Sequence, residues 1–310
     1  MRRYGLARPV RCETLLPRAT DVRADRDDDE VLNNAVPAGT IDLSELGKRW
    51  ELLDQLYGHV DRVLGNRNEQ VLCARAIDEG QVAGHRVYMS AHRHLGVARD
   101  NHDALIALIR GDHGLTLFAP WNLLRATFEA AFYAAWVLDP NDSLERRRRG
   151  LRLEYLDERD HAQYYADVMT MAAGHPEDAD DFDGLKESLA SAALSHSDSY
   201  SREARELGLQ FPEMPGVKVL KELGALSFTR AVEDWDVLLR SVWHGVSGLA
   251  HGRSSALMRA TDKADGRPTK GGMHVILSVN DDVFINAAMV STQLHMEAVR
   301  LLIVRRSPNS

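Results

Sequence analysis

Hydrophobic residues recur at intervals of three and four through most of this chain, which is the spacing of one face of an α-helix. The pattern is plainest from Leu43 to Leu64. It predicts further helices over 69–79, 85–110, 120–138, 143–169, 185–207, 217–224, 231–251 and 282–305. The candidate N-caps, judged by residue type and position, are Asp42 or Ser44, then Ser143, and finally Asp281 or Asp282.

Near the C-terminus the period changes from helical to alternating. Residues 255–261 and 273–279 flank a connection that contains Gly and Pro, as the two arms of a β-hairpin do. No internal repeat and no linker divides the chain after residue 42. The pattern therefore predicts an all-α class of fold, a single helical bundle over 40–310 with one small β-hairpin at about 255–280.

Residues 1–39 show neither the helical nor the alternating period. They contain seven acidic and seven basic side chains, so we expect a disordered tail. No continuous apolar segment follows the N-terminal arginines, which argues against a secretory signal. With only two cysteines, Cys12 and Cys73, a disulfide scaffold is not expected, and a reducing cytoplasm fits best.

The run 115–138 is long enough to span a bilayer, but it carries Arg125 and Glu129 near its middle. Each of these charges would cost about 2.5–3.5 kcal/mol at the centre of a membrane. Because they are four residues apart, they can pair on one face of a helix. We therefore expect a mostly buried helix of a soluble core with an Arg125–Glu129 ion pair, and no membrane partner.

The most informative stretch is 236–252, which reads DVLLRSVWHGVSGLAHG. At about 100° per residue, five polar side chains share one face of a helix. They are Asp236, Arg240, His244, Ser247 and His251. Such a set can bind an anion through arginine, exchange a proton through histidine and hydrogen-bond a substrate. In the structural alternative, Asp236 pairs with Arg240 and the histidines satisfy buried polar groups.

Three glycines, Gly245, Gly248 and Gly252, line a neighbouring face of the same segment. A helix normally avoids glycine, because each one costs about 1 kcal/mol relative to alanine. Close packing of another backbone against the missing side chains is the simplest compensation. The glycines thus favour a tight interface, and we expect a homodimer that buries part of 236–252 or its neighbours.

Three segments resemble a group of uncharacterised actinobacterial proteins: PWNLLRATFEAAFYAAWVLDP, ERRRRGLRLEYLDERD and RSVWHGVSGLAHG. In that group an LR-x-x-FEA helix, an arginine-rich helix and an SG-x-AHG helix follow in the same order. The resemblance covers roughly residues 85–305 and implies no particular activity. Arg125 and Glu129 belong to the first motif, and a structural ion pair that fixes helix packing is the favoured interpretation of them. In the alternative, Arg125 projects into the same cavity as His244 and His251, so the pair ranks second as a site.

More distantly, a helical bundle with Arg and His on a late helix is similar to the HEPN superfamily. Many of its members are metal-independent ribonucleases that work as dimers, with an Arg and a His of each subunit meeting at the two-fold axis. The resemblance implies that Arg240 binds the scissile phosphate and that His244 or His251 is the general acid or base. The family places four to six residues between Arg and His, whereas here three residues precede His244 and ten precede His251. Ser241 supplies the polar residue that follows Arg in the family.

No metal or cofactor site is predicted. Glu158 and His161 have the spacing of one half of a di-iron motif, but the second half is not found. The histidines between 85 and 113 lack partners spaced to complete a metal shell, so a solvated or interfacial face is favoured. The arginine run 146–149, with Arg152 and Arg159, could contact phosphates. Its acidic neighbours favour an exposed, charge-laced helix instead. The net charge of −8 argues against a nucleic-acid-coating surface but leaves a local basic patch open.

Two functions remain open. The first is a HEPN-like, metal-independent endoribonuclease of toxin or defence type, acting on RNA with an antitoxin as its partner. The second is a non-catalytic, dimeric helical module that binds a small anionic ligand or a protein partner through the same helix. The residues assigned to the site are Arg240, His244 and His251 as catalytic groups, and Ser247, Arg125, Glu129 and Asp236 as binding groups.

Overall fold

The computed structural model describes residues 43–65, 73–111, 116–172, 197–231, 234–269 and 272–307. The predicted tail, 1–39, lies outside the described residues. The helices are α1 Leu43–Gly65, α2 Ala74–Glu79, α3 Gly84–Arg110, α4 Ala119–Leu138, α5 Ser143–Ala172, α6 at 197–206, α7 Val219–Leu223, α8 Trp235–Ala250, α9 Ser254–Arg259 and α10 Asp281–Arg306. A 3₁₀ turn, Ser227–Ala231, precedes α8, and two antiparallel strands, β1 Thr261–Thr269 and β2 Gly272–Val279, precede α10. The all-α class with one small hairpin is confirmed.

Helix α4 lies at the centre of the bundle because it is apolar on nearly every side. Helices α3 and α10 pack most extensively against it, and α8 covers a further side. Small alanines let these neighbours approach closely, while large side chains fill the spaces between them. Its largest buried side chains are Trp121, Leu124, Phe128, Phe132 and Trp136. This arrangement sets α8, the helix with the predicted polar face, directly against the core.

Arg125 and Glu129 form the predicted ion pair on α4, with Nη2 and Oε2 3.5 Å apart. The two side chains are 30% and 31% exposed, so the pair lies at the edge of the buried surface. The helix begins at Ala119, one residue before the predicted start of 120–138, with Pro120 in its first turn, and residues 116–118 of the run 115–138 precede it. Within the described ranges, no helix is long and apolar enough to cross a membrane.

The hairpin occupies the predicted region, but its first arm is shifted along the chain. Residues 255–259, predicted as strand, belong to α9, and β1 runs through most of the predicted connection. Thr261 pairs with Val279 and Thr269 with Gly272, with an irregularity between Ala264 and Arg267. Glycine and proline in the connection had indicated a loop. The irregularity accommodates part of that stretch within the ladder.

Two helix starts differ from the predicted caps by one or two residues. At α5 the Asp142 side chain accepts a hydrogen bond from the Glu145 backbone N–H at 3.0 Å, so Asp142 rather than Ser143 is the cap. At α10 the Asn280 side chain accepts from the Val283 backbone N–H at 2.9 Å, in place of Asp281 or Asp282. In both cases the capping oxygen reaches the third residue of the helix, as N-caps do.

A buried polar corner joins α2, α3, α5 and α10. Asp78 is fully buried and accepts two hydrogen bonds from Arg146, at 2.7 and 2.8 Å, and one from the Tyr88 hydroxyl at 2.8 Å. Arg146 also donates to the carbonyls of Pro140 and Asn141. Arg305 of α10 donates to the same turn between α4 and α5. The predicted exposed run 146–149 is therefore wrong at its first two residues, because Arg146 and Arg147 are both buried.

Two buried histidines lie between α1, α3 and α10. The Tyr57 hydroxyl is 2.6 Å from His295 Nε2 and 3.1 Å from the Leu95 carbonyl oxygen. The His102 and His295 rings pack edge to face, 5.7 Å between centroids. Burial lowers the pKa of His295 to about 3 and lowers that of His102 as well. The solvated or interfacial character predicted for the histidines of α3 is thus wrong for His102, because this side of α3 faces the core.

Candidate functional site

Helix α8 places its apolar residues on the core side and its polar residues outward. Leu239, Val246 and Leu249 are buried, whereas Arg240, His244 and His251 are exposed. Asp236 and Ser247 are partly buried at the edges of the same outward face. The five polar residues therefore share one accessible surface, here called the α8 face, as the helical spacing predicted.

Arg240 is ion-paired with Asp236 at the N-terminal end of the α8 face. The contact joins Arg240 Nη2 to Asp236 Oδ2, one helical turn away, and the two side chains are 45% and 33% exposed. The same guanidinium packs over Gly224, where an added Cβ would come within 2.6 Å of Nη2. Arg240 thus has a defined position, with Nε and Nη1 left without a hydrogen-bond partner among the described residues.

The α8 face is too long for one small ligand to touch all of it. At about 1.5 Å per residue, Arg240 and His244 are about 6 Å apart along the helix, and Arg240 and His251 about 16 Å. His251 occupies the C-cap, where its backbone N–H donates to the Ser247 carbonyl oxygen at 3.1 Å. The face therefore has two ends, one with Asp236, Arg240 and His244 and the other with Ser247 and His251.

The Arg125–Glu129 pair of α4 lies beside α8. The Arg125 guanidinium is 5.9 Å from the ring centroid of Trp243 on α8. Burial raises the pKa of Glu129, against the opposing effects of Arg125 and, more weakly, His251. Glu129 is thus close enough to His251 for their charges to interact. The pair that ranked second accordingly lies towards the His251 end of the α8 face.

Two further titratable residues lie near this pair, Tyr133 on α4 and His94 on α3. Burial raises the pKa of Tyr133, and the Glu129 carboxylate raises it further. The ring of His94, on α3, lies 5.1 Å from that of Tyr133, and burial together with Arg93 lowers the pKa of His94 to about 4. The spacing of four residues from Glu129 to Tyr133 was a signal that could have identified the tyrosine. His94 carries no comparable signal, because its partner is on another helix.

The three glycines of this segment have different surroundings, and two of them have an identifiable structural role. Gly252 has φ +65 and ends α8: its backbone N–H bonds to the Leu249 carbonyl and that of Arg253 to the Gly248 carbonyl, which is the Schellman arrangement. Gly248 is a close approach within the chain, since an added Cβ would lie 2.8 Å from the Ala256 Cβ. An added Cβ at Gly245 would meet nothing within 4 Å. Gly248 and Gly252 are therefore explained without a second copy of the chain.

We expect opposite effects on stability from alanine at two of these positions. Gly245→Ala will raise the free energy of unfolding by about 0.5–1 kcal/mol, because alanine is the better helix former and the space is open. Gly248→Ala will lower it, because overpacking costs about 1–3 kcal/mol and exceeds the same gain. Urea unfolding followed by circular dichroism measures both changes. Shifts of the same sign would contradict the close approach of α9 at Gly248.

The described residues contain no group of three or more His, Cys, Asp or Glu side chains placed to hold a metal ion. In comparisons with protein-family models, with curated proteins and with solved structures, nothing matches this chain. The site itself offers one arginine, two exposed histidines and, on the adjoining helix α4, a carboxylate–arginine pair.

Proposed function

We propose that this protein is a metal-independent endoribonuclease that acts as a homodimer through the α8 face. The observation that carries the proposal is the exposure of Arg240, His244 and His251 together on one face of one helix. Arginine offers planar, bidentate binding of a phosphodiester, and histidine exchanges protons near neutral pH. The proposal also draws on the resemblance of the sequence to HEPN proteins, from which the spacing between Arg240 and the two histidines departs. On the same resemblance we propose a cytoplasmic toxin or defence role with an antitoxin partner.

The reaction needs one proton acceptor and one proton donor. One histidine takes the proton of the ribose 2′-hydroxyl, whose oxygen attacks the adjacent phosphorus. The second histidine, as imidazolium, gives a proton to the departing 5′-oxygen. The products are a 2′,3′-cyclic phosphate and a 5′-hydroxyl end, and Arg240 balances the charge on the phosphoryl oxygens.

A homodimer with a two-fold axis would bring one end of the α8 face against the other end of the same face in the partner copy. The midpoint between Arg240 and His251 lies between His244 and Ser247, within the same helix. Two antiparallel copies of α8 that cross at this level would set Arg240 of one copy opposite His251 of the other. His244 of one copy would then face Ser247 of the other. Each dimer would contain two such composite sites.

Loss of either histidine should nearly abolish RNA cleavage. We expect His244→Ala and His251→Ala to slow cleavage by about 10²–10⁴-fold, the usual contribution of an acid or base. Arg240→Ala should lose phosphate binding as well. Purified protein is incubated with several RNAs between pH 6 and 8, with and without a chelator. His59→Ala, at an exposed histidine of α1, is the matched control and should retain full activity.

Mixing two inactive variants tests whether the site is shared. Arg240→Ala and His251→Ala chains that are co-expressed should regain about a quarter of wild-type activity, because half the dimers are mixed and each has one intact site. No recovery, with dimers present by light scattering, would exclude this pairing. Activity of a strictly monomeric protein would exclude a composite site altogether.

A non-catalytic binding module is the second candidate, and the Asp236–Arg240 ion pair favours one that binds a protein partner over one that binds a small anion. A guanidinium that is already paired has less electrostatic attraction left for a phosphate than a free one. If wild-type protein cleaves no RNA under the conditions above yet forms dimers, the α8 face binds a small anion or a protein partner instead. Asp236→Asn would then strengthen anion binding, since it frees Arg240.

A further inference from the structure

A separate arginine-lined cavity lies away from α8, between the first turns of α5 and the turn that follows α6. Its volume is about 350 Å³. The lining residues are Glu145, Arg148, Arg149, Arg152, Gly208 and Leu209. Three guanidinium groups against one carboxylate give this lining an excess of positive charge, although the whole chain has a net charge of −8.

Each of these three arginines donates at least one hydrogen bond from its guanidinium group to a backbone carbonyl. Arg148 Nε donates to the Leu207 carbonyl at 2.8 Å, and Arg149 Nη1 donates to the Trp136 carbonyl at 2.8 Å. Arg152 donates to two successive carbonyls, at 2.5 and 2.7 Å, in the segment before α7. A neutral carbonyl orients a guanidinium without cancelling its charge. The three positive charges are therefore fixed in place but only partly compensated.

Two of the arginines stack on the ring of Trp136. The guanidinium carbons of Arg149 and Arg152 lie 4.8 and 5.6 Å from the ring centroid, and Trp136 itself is buried. Stacking of this kind fixes the plane of a guanidinium before any ligand arrives, so less side-chain entropy is lost on binding.

The nearby carboxylates leave most of the charge uncompensated. Glu145 pairs with Arg149 at 3.0 Å, and Glu222 accepts a hydrogen bond from the Trp136 indole at 3.1 Å. Burial lowers the pKa of Arg152, opposed by Glu222, and the neighbouring charge of Arg149 lowers it further. A positive charge is thus costly at this position, and a bound anion would relieve that cost.

Several donors of the cavity remain available. Both Nη groups of Arg148, Nη2 of Arg149 and Nη1 of Arg152 have no hydrogen-bond partner in the part of the chain that the structure describes. We propose that this cavity binds the phosphate group of a small phosphate monoester. Arg148 and Arg152, one turn apart on α5, contact the phosphate oxygens. The cavity is larger than a phosphate ion alone, and its size is in the range of small-molecule sites.

Calorimetric titration with adenosine monophosphate and with inorganic phosphate, at constant ionic strength, tests this assignment. We expect the monoester to bind and Arg148→Gln to weaken it at least tenfold. Arg148→Lys should weaken it less, because it keeps the charge and loses only the forked geometry. Arg159→Gln, at an arginine of α5 outside the cavity that is 54% exposed, is the matched control and should bind as wild type does.

Glu145→Gln is expected to gain affinity, whereas a misfolded variant would lose it. Removing the carboxylate of the cavity should tighten binding of the monoester about three- to tenfold, since one opposing charge is lost. Equal binding of the monoester and of inorganic phosphate would reassign the site to free phosphate and overturn the monoester proposal. No binding by the wild type, or equal losses in Arg148→Gln and Arg159→Gln, would overturn the site itself.

Discussion

Asp78→Asn will lower the free energy of unfolding by about 3–5 kcal/mol, because it leaves the buried charge of Arg146 without a counter-ion. The two side chains are 0% and 2% exposed and share two hydrogen bonds. Asparagine has nearly the shape of aspartate, so the change removes charge without leaving a cavity. Urea unfolding at pH 7 measures the loss.

The neighbouring residue supplies a matched control for this variant. Glu79 forms an ion pair with Arg75 on the same short helix, but the side chains are 38% and 30% exposed. Glu79→Gln should cost less than about 1 kcal/mol, as exposed pairs do. A double-mutant cycle with Arg146→Gln then separates the pair itself from the other bonds of each side chain. Equal losses at positions 78 and 79 would contradict the role of the corner.

The fold was largely predictable because its main signal is periodic. The apolar spacing of α1, α3, α4 and α10 is long and regular, so their existence and approximate ends follow from sequence alone. Short elements did not follow, as α9 shows. It lies where a strand was predicted, because Ala256 packs over Gly248, and that contact depends on the chain reversal at Gly252.

The arginine run of α5 shows why burial of a charge is hard to predict. Four successive residues of a helix point in four directions, so some of them must face inward whatever their type. Arg146 faces inward and finds Asp78, whereas Arg148 and Arg149 line the cavity. Asp78 lies 68 residues away in sequence, and nothing local indicates that partner.

The sequence predicted which residues share the candidate site, but it did not predict their contacts with other helices. Helical spacing placed Asp236, Arg240, His244, Ser247 and His251 on one face, and the structure has them there. It could not show that Arg240 rests over Gly224 or that His251 lies near Glu129, since both depend on packing between helices. The roles of these residues remain predictions.

Acid will unfold this protein more readily than its carboxylates alone would suggest, because one buried and one partly buried histidine must stay neutral. His295 has a pKa of about 3 and His94 of about 4, both well below the ordinary value of 6.5. A neutral His295 with its hydrogen on Nε2 satisfies the contact with Tyr57. A second proton on Nδ1 would find no acceptor among the described residues, since that nitrogen is buried and unpartnered.

Acid lowers the stability because the unfolded chain binds protons on these histidines at a higher pH than the folded chain does. Below pH 6.5 the unfolded chain takes up a proton on each histidine, whereas the folded chain does not until about pH 3–4. Each group therefore removes about 1.4 kcal/mol of stability per pH unit through that window. At pH 4.5 the two together cost about 5–6 kcal/mol, comparable to the whole stability of an ordinary domain. The raised pKa of Glu129 opposes this only in part.

His295→Gln isolates the larger of these contributions. The variant should be less stable than wild type at pH 7, because the contact with Tyr57 is altered, yet its stability should fall less steeply on acidification. We expect the slope between pH 6 and 4 to decrease by about 1.4 kcal/mol per pH unit. His59→Gln, at the exposed histidine of α1, should leave the slope unchanged. Urea unfolding at half-unit pH intervals gives both slopes, and parallel curves for wild type and His295→Gln would show that His295 is not a neutral, buried group in the folded protein.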